Sequence, residues 1–87
     1  MLQVTAWWTG TGNSVESVNG EVEVGRTSFR TEEECAAFLQ GVQSLNDPEG
    51  TEYPFETELE AKYFDLGRSY ASDGARNGWG IRTERSR

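Results

Sequence analysis

The stretch 31–45 constrains the fold more than any other part of the chain. Thr31 followed by Glu34 reads as a capping box, with the threonine hydroxyl accepting from the Glu34 amide and the glutamate accepting from the Thr31 amide. Glu32, Glu33 and Glu34 fill the first turn, where the helix dipole favours negative charge. Cys35, Phe38, Leu39 and Val42 recur at i, i+3, i+4 and i+7, and Leu45 continues the line. That spacing makes one apolar stripe on an amphipathic helix, and a stripe of this kind needs a sheet or a second helix to cover it.

The segment before the helix supplies strands. Leu2–Thr9 alternates, with Leu2, Val4, Ala6 and Trp8 on one side and Gln3, Thr5, Trp7 and Thr9 on the other. Gly10-Thr11-Gly12-Asn13 is a loop, and 14–18 reads as a second short strand. Asn19-Gly20 then signals a type I′ hairpin into a third strand, Glu21–Phe29. The turn sets the register: Val15 faces Val24 and Ser17 faces Val22, while Glu16 faces Glu23 with Glu21 on the same side. Gly25 marks a bulge whose extra residue returns Thr27 and Phe29 to the core side.

Beyond the first helix, Asn46-Asp47-Pro48-Glu49-Gly50 opens a polar loop through Pro54. A second helix is expected over 56–72. Thr57 and Glu60 repeat the capping pattern, Leu59, Tyr63, Leu66 and Tyr70 form the stripe, and Asp73-Gly74 makes the stop. Gly67 inside it costs about 1 kcal/mol against alanine, which points to close backbone packing there. Residues 76–79 read equally as a helical turn or as a loop into a short last strand at 80–83, and 82–87 as a flexible tail. The expected fold is α+β: one domain over 1–87, in which a three-stranded antiparallel meander is packed by one or two helices (βββαα, with the possible last strand).

Composition bounds the function. Three tryptophans, three tyrosines and four phenylalanines give a small chain enough apolar area for a core. The single cysteine excludes an internal disulfide and fits a reducing cytoplasm. No signal-like start and no membrane-length apolar run is present. There is no histidine, which removes the usual general base, the commonest metal ligand and any Ser-His or Cys-His pair. No pair of carboxylates is set apart from the others, so the chain is read as a non-enzyme. Gly10-Thr11-Gly12 lacks the lysine and helix of a phosphate loop, and Asn46, Asp47, Glu49 and Glu52 miss the calcium-loop spacing. No cofactor and no metal are therefore expected. Cys35, on the apolar stripe, reads as a buried inert thiol.

The formal net charge of −7 is unevenly spread. Residues 1–66 carry thirteen acids against Arg26, Arg30 and Lys62, while 67–87 carry five arginines against Asp73 and Glu84. Such a body repels nucleic acid and attracts basic protein surfaces, so a basic nucleic-acid-binding protein or ribonucleoprotein is the expected partner, without direct DNA binding. Trp7 and Trp8 are neighbours in a strand and point to opposite faces, which leaves Trp7 on the open one with Glu16, Glu21 and Glu23. Like charges across strands are unfavourable. Either a basic partner answers them, or Arg26, Arg30 or a C-terminal arginine does so internally. Trp7, Glu16, Glu21, Glu23, Glu32 and Glu33 are the candidate partner-binding residues. Arg68, Arg76, Arg82, Arg85 and Arg87, near Trp79, form a basic segment that either folds over the acidic body or binds RNA.

Two resemblances bear on function. Val18-Asn19-Gly20, Val24-Gly25, Phe29, Thr31-Glu32, Phe38 and Gly41 resemble part of small phage anti-CRISPR proteins of type I, over about a quarter of the chain. That resemblance implies a non-enzymatic inhibitor that binds the RNA-guided CRISPR surveillance complex and offers acidic surface to residues meant for phosphate. Tyr63, Gly67, Ala71, Gly74 and Gly78-Trp79 are similar to the pattern of ribosome modulation factors, which implies binding to ribosomal RNA through the C-terminal arginines.

Overall fold

A computed structural model describes residues 2–10, 21–45 and 55–86. Its elements are β1 (Leu2–Thr9), β2 (Glu21–Phe29), α1 (Glu32–Gln43), α2 (Glu58–Arg76) and β3 (Gly80–Ser86). The fold is α+β, with three antiparallel strands in the order β2-β1-β3 and two helices on one face.

β1 occupies the centre, because its alternation serves both neighbours. Leu2, Val4, Ala6 and Trp8 pair with Phe29, Thr27, Gly25 and Val22 on one side, and Val4, Ala6 and Trp8 with Arg85, Thr83 and Ile81 on the other. The register of β1 with β2 shifts between Ala6 and Trp7, which face Gly25 and Glu23, so Val24 is the extra residue of a bulge. The bulge returns Thr27 and Phe29 to the core side, as the glycine suggested.

The third described strand is the possible last one, longer than expected at Gly80–Ser86, and not the second strand of the meander. The strand 14–18, its Asn19-Gly20 turn and the register built on it lie outside the described residues. β1 pairs directly with β2 along its whole length, so no strand separates them as a meander would require. The other side of β1 is taken by 80–86, read from sequence as a short strand and a tail. Alternation explains the difference: Ile81 and Thr83 face inward, while Arg82 and Glu84 face out and find partners on the sheet. A run rich in arginine is a strand here because the acids that hold it come from distant parts of the chain.

Both helices begin as their sequences demand, with one change. Thr57 and Glu60 form a complete capping box at α2, the Thr57 amide donating to Glu60 at 2.9 Å and the Glu60 amide to the Thr57 hydroxyl at 3.1 Å. At α1 the Glu34 amide donates to Thr31 Oγ1 at 3.1 Å, but the Glu34 carboxylate accepts from the Arg30 amide rather than from Thr31. α2 also outlasts the expected stop at Gly74 and reaches Arg76. Its end is a Schellman motif: Gly78, at φ 77°, donates to the Ala75 carbonyl at 3.1 Å, and Trp79 to the Gly74 carbonyl at 2.9 Å. Gly74 lies inside the helix because the Trp8 indole needs its space; a Cβ there would sit 2.7 Å from Trp8 Cδ1.

The core lies between sheet and helices. Val4, Phe29, Cys35, Phe38 and Val42 are buried, and Leu39, Tyr63, Leu66, Tyr70 and Ile81 pack around them. Phe29 touches Phe38 and Tyr63 at ring-centroid distances of 5.4 and 4.8 Å. Leu45, expected on the α1 stripe, is 41% exposed, because the helix ends at Gln43 before the stripe reaches it. α1 and α2 meet backbone to backbone, Gly41 under the Phe64 carbonyl and Gly67 under that of Phe38. Thr31 and Glu34 of the α1 start line one groove with Thr57 and Glu60 of the α2 start, so both helices begin at the same end of the molecule.

Candidate functional site

The two groups of candidate residues separate in the structure. The first occupies the open face of the sheet. Trp7 lies in the central strand between Glu23 on β2 and Arg82 on β3. The Arg82 guanidinium sits 4.1 Å from the Trp7 ring centroid, a cation–π arrangement. It then reaches across the ring to Glu21, with Nε 3.1 Å from Oε1 and an Nη 2.9 Å from Oε2. The second Nη is 3.5 Å from Glu84. The bidentate hydrogen bonds of Glu21 raise the Arg82 pKa above its ordinary value, with the charges of Glu21 and Glu84 adding and partial desolvation opposing. Glu23 pairs with Arg26 at 3.5 Å. The glutamates of this face are thus answered from within the chain, by Arg26 and by a C-terminal arginine. Glu16 lies outside the described residues.

The second group surrounds the helix starts. Two of its carboxylates are committed to the fold: Glu34 and Glu60 are buried and serve the caps. Glu32 is held by Arg85, which projects from the end of β3 on the helix side of the sheet. Glu33, Glu56 and Glu58 are exposed and make no ion pair among the described residues. Between the helices lies an open groove of about 310 Å³, with Glu33, Glu56 and Glu60 at its margin and Ala36, Ala37, Gln40 and Phe55 along it. Glu32 and Glu33 were legible as candidates, but their neighbours Glu56 and Glu60 were not, nor Glu58 in the first turn of α2. The signal was the second capping box, which places acids at a helix start; that both starts share one end is a tertiary fact.

Cys35 is fully buried in the core. Burial pushes its thiol pKa up, opposed by nearby Arg85 and reinforced by Glu32, so the sulfur stays protonated and unreactive in the folded chain. Among the described residues no group of three or more Cys, Asp or Glu side chains is arranged to hold a metal ion. The loop residues Asn46, Asp47, Glu49 and Glu52, like Thr11 and Gly12, lie outside the described part. Among the described residues no helix is long and apolar enough to cross a membrane. Of the C-terminal arginines, Arg76 pairs with Asp73, Arg82 with Glu21 and Glu84, and Arg85 with Glu32, while Arg68 is exposed and makes no ion pair among the described residues, and Arg87 lies outside them.

No known protein family matches the chain, and no characterised protein or solved structure does so either.

Proposed function

We propose that this chain is a small non-enzymatic binding protein of the cytoplasm, whose carboxylates occupy a basic nucleic-acid-binding surface on a partner. The partner class suggested by the anti-CRISPR resemblance is the CRISPR surveillance complex, and the action is inhibition of target-DNA binding by steric and electrostatic competition. One observation carries the reading. Glu33 and Glu56 line the groove at the shared end of the two helices and Glu58 stands in the first turn of α2, all three exposed, without ion pairs among the described residues and beyond what the caps require. The open sheet face contributes less net charge, because Arg26 and Arg82 answer Glu23 and Glu21. The ribosomal RNA reading needs free arginines, and of those described Arg76, Arg82 and Arg85 are held by the chain's own acids, which leaves Arg68 alone without an ion pair among the described residues.

The test is a titration of a purified type I surveillance complex with the protein before addition of labelled target DNA. The expected result is loss of DNA binding near one equivalent, an effect that weakens as salt rises. The triple variant Glu33→Gln, Glu56→Gln, Glu58→Gln is expected to require about tenfold more protein for the same inhibition. Unimpaired DNA binding at large excess would remove the CRISPR assignment. Retention of RNA by the isolated chain on a filter would move the function to the arginines.

A further inference from the structure

We infer that the chain self-associates through the outer edge of β3, forming a two-fold dimer in which two three-stranded sheets join into one of six strands. The inference is independent of the acidic helix starts. β3 has one neighbour, β1, and the backbone donors and acceptors on the other side of Gly80–Ser86 are unpaired among the described residues. Charged side chains on an edge strand normally discourage pairing. Here the two outward-facing charges are of opposite sign and two residues apart, Arg82 and Glu84, both on the open face.

That spacing selects a register. A two-fold axis perpendicular to the sheet keeps both helix layers on one side and lays open face beside open face. With Thr83 of one copy opposite Thr83 of the other, all of Gly80–Ser86 pairs antiparallel. In that register Arg82 of each copy faces Glu84 of the other, so one contact contributes two opposite-charge cross-strand pairs. Moving the centre by one residue sets Arg82 against Arg82 or Glu84 against Glu84, and shortens the ladder. Complete overlap and charge complementarity therefore coincide in one register alone. Glu84 is available for it, being exposed and approached in its own chain by Arg82 at a long 3.5 Å; Arg82 keeps two nitrogens on Glu21 and would meet the partner copy's carboxylate through the Nη that now approaches Glu84.

Two measurements test this on the full chain. Sedimentation equilibrium is expected to show a reversible monomer–dimer equilibrium. Glu84→Arg, which sets like charges opposite one another twice, is expected to raise the dimer Kd about tenfold or more. The double charge reversal Arg82→Glu, Glu84→Arg recreates the complementarity across the dyad and is expected to restore dimerisation. Circular dichroism confirms that each variant is folded before its Kd is compared. Separately, a Thr83→Cys chain treated with a short bismaleimide is expected to give a crosslinked dimer, while Ser28→Cys, on exposed β2 backbone, is not. The fully buried Cys35 makes the native chain the blank. A chain that stays monomeric at its highest soluble concentration overturns the proposal. So does a dimer indifferent to Glu84→Arg, a double variant that fails to recover, or crosslinking through Ser28→Cys in place of Thr83→Cys.

Discussion

The helix crossing and the open sheet face hold together by opposite means. At the crossing, Gly41 and Gly67 let two backbones meet, and what matters is the side chain that is missing. On the open face, Trp7, Arg82, Glu21 and Glu84 meet through long side chains in solvent, and what matters is charge placed at the right register. Packed backbone has nowhere to go when an atom is added. A solvated guanidinium has several ways to satisfy itself. The first region should therefore be intolerant of volume and indifferent to salt, and the second tolerant of volume and sensitive to charge.

The largest effect is expected at the crossing. A Cβ at Gly41 would lie 2.0 Å from the Phe64 carbonyl oxygen, and one at Gly67 2.2 Å from that of Phe38. Each clash is with helical backbone, so the helices must move apart and open the core around Phe38 and Val42. Helix propensity favours alanine over glycine by about 1 kcal/mol, which acts in the other direction. Overpacking against backbone wins: Gly41→Ala or Gly67→Ala is expected to cost on the order of 3 kcal/mol net, a large share of what a chain of this size has. Urea denaturation followed by circular dichroism measures it. A stabilised variant would mean that the helices do not touch where they are placed.

An intermediate case lies at Gly74, where the neighbour is a side chain. A Cβ there would approach the Trp8 ring to 2.7 Å, and the ring is tethered by its Nε1–H, which donates to the Tyr70 carbonyl at 2.9 Å. Trp8 can swing, at the expense of that hydrogen bond. Gly74→Ala is expected to cost about 1 kcal/mol and to shift tryptophan emission to longer wavelength as the indole moves outward. Loss as large as at the crossing would show that Trp8 is as rigid as backbone.

The same division between near and far explains what the sequence disclosed. The Thr31 and Thr57 caps, the bulge beside Gly25 and the facing of Trp7 are settled within a few residues, by rules that act over one turn or one pleat. The Glu34 carboxylate went to Arg30 rather than Thr31 because one residue of approach geometry decides between two adjacent amides. β3 was harder to see. Its partners Glu21 and Glu32 lie more than fifty positions away, and without them 82–86 has the composition of a solvated tail. The acidic groove was half legible for a similar reason. Local pattern puts acids at each helix start, but only the crossing at Gly41 and Gly67 brings the two starts to one end.

The smallest expected effect on stability, and the most informative about the open face, comes from Glu21→Gln. The amide keeps the shape of the carboxylate and loses the charge that draws the guanidinium across Trp7. Arg82 is exposed and has Glu84 as a second partner, so the fold should barely register the change at physiological salt. The cover over the ring should register it. Trp79 is buried and Trp8 is tied to the Tyr70 carbonyl, so an altered response of tryptophan emission to iodide reports on Trp7. Iodide quenching is expected to increase in Glu21→Gln, and moderate salt is expected to move the native chain in the same direction by screening the pair. If neither quenching nor its salt dependence changes, Arg82 is held over Trp7 by the ring and by strand pairing alone. The open face would then owe its order to register rather than to charge.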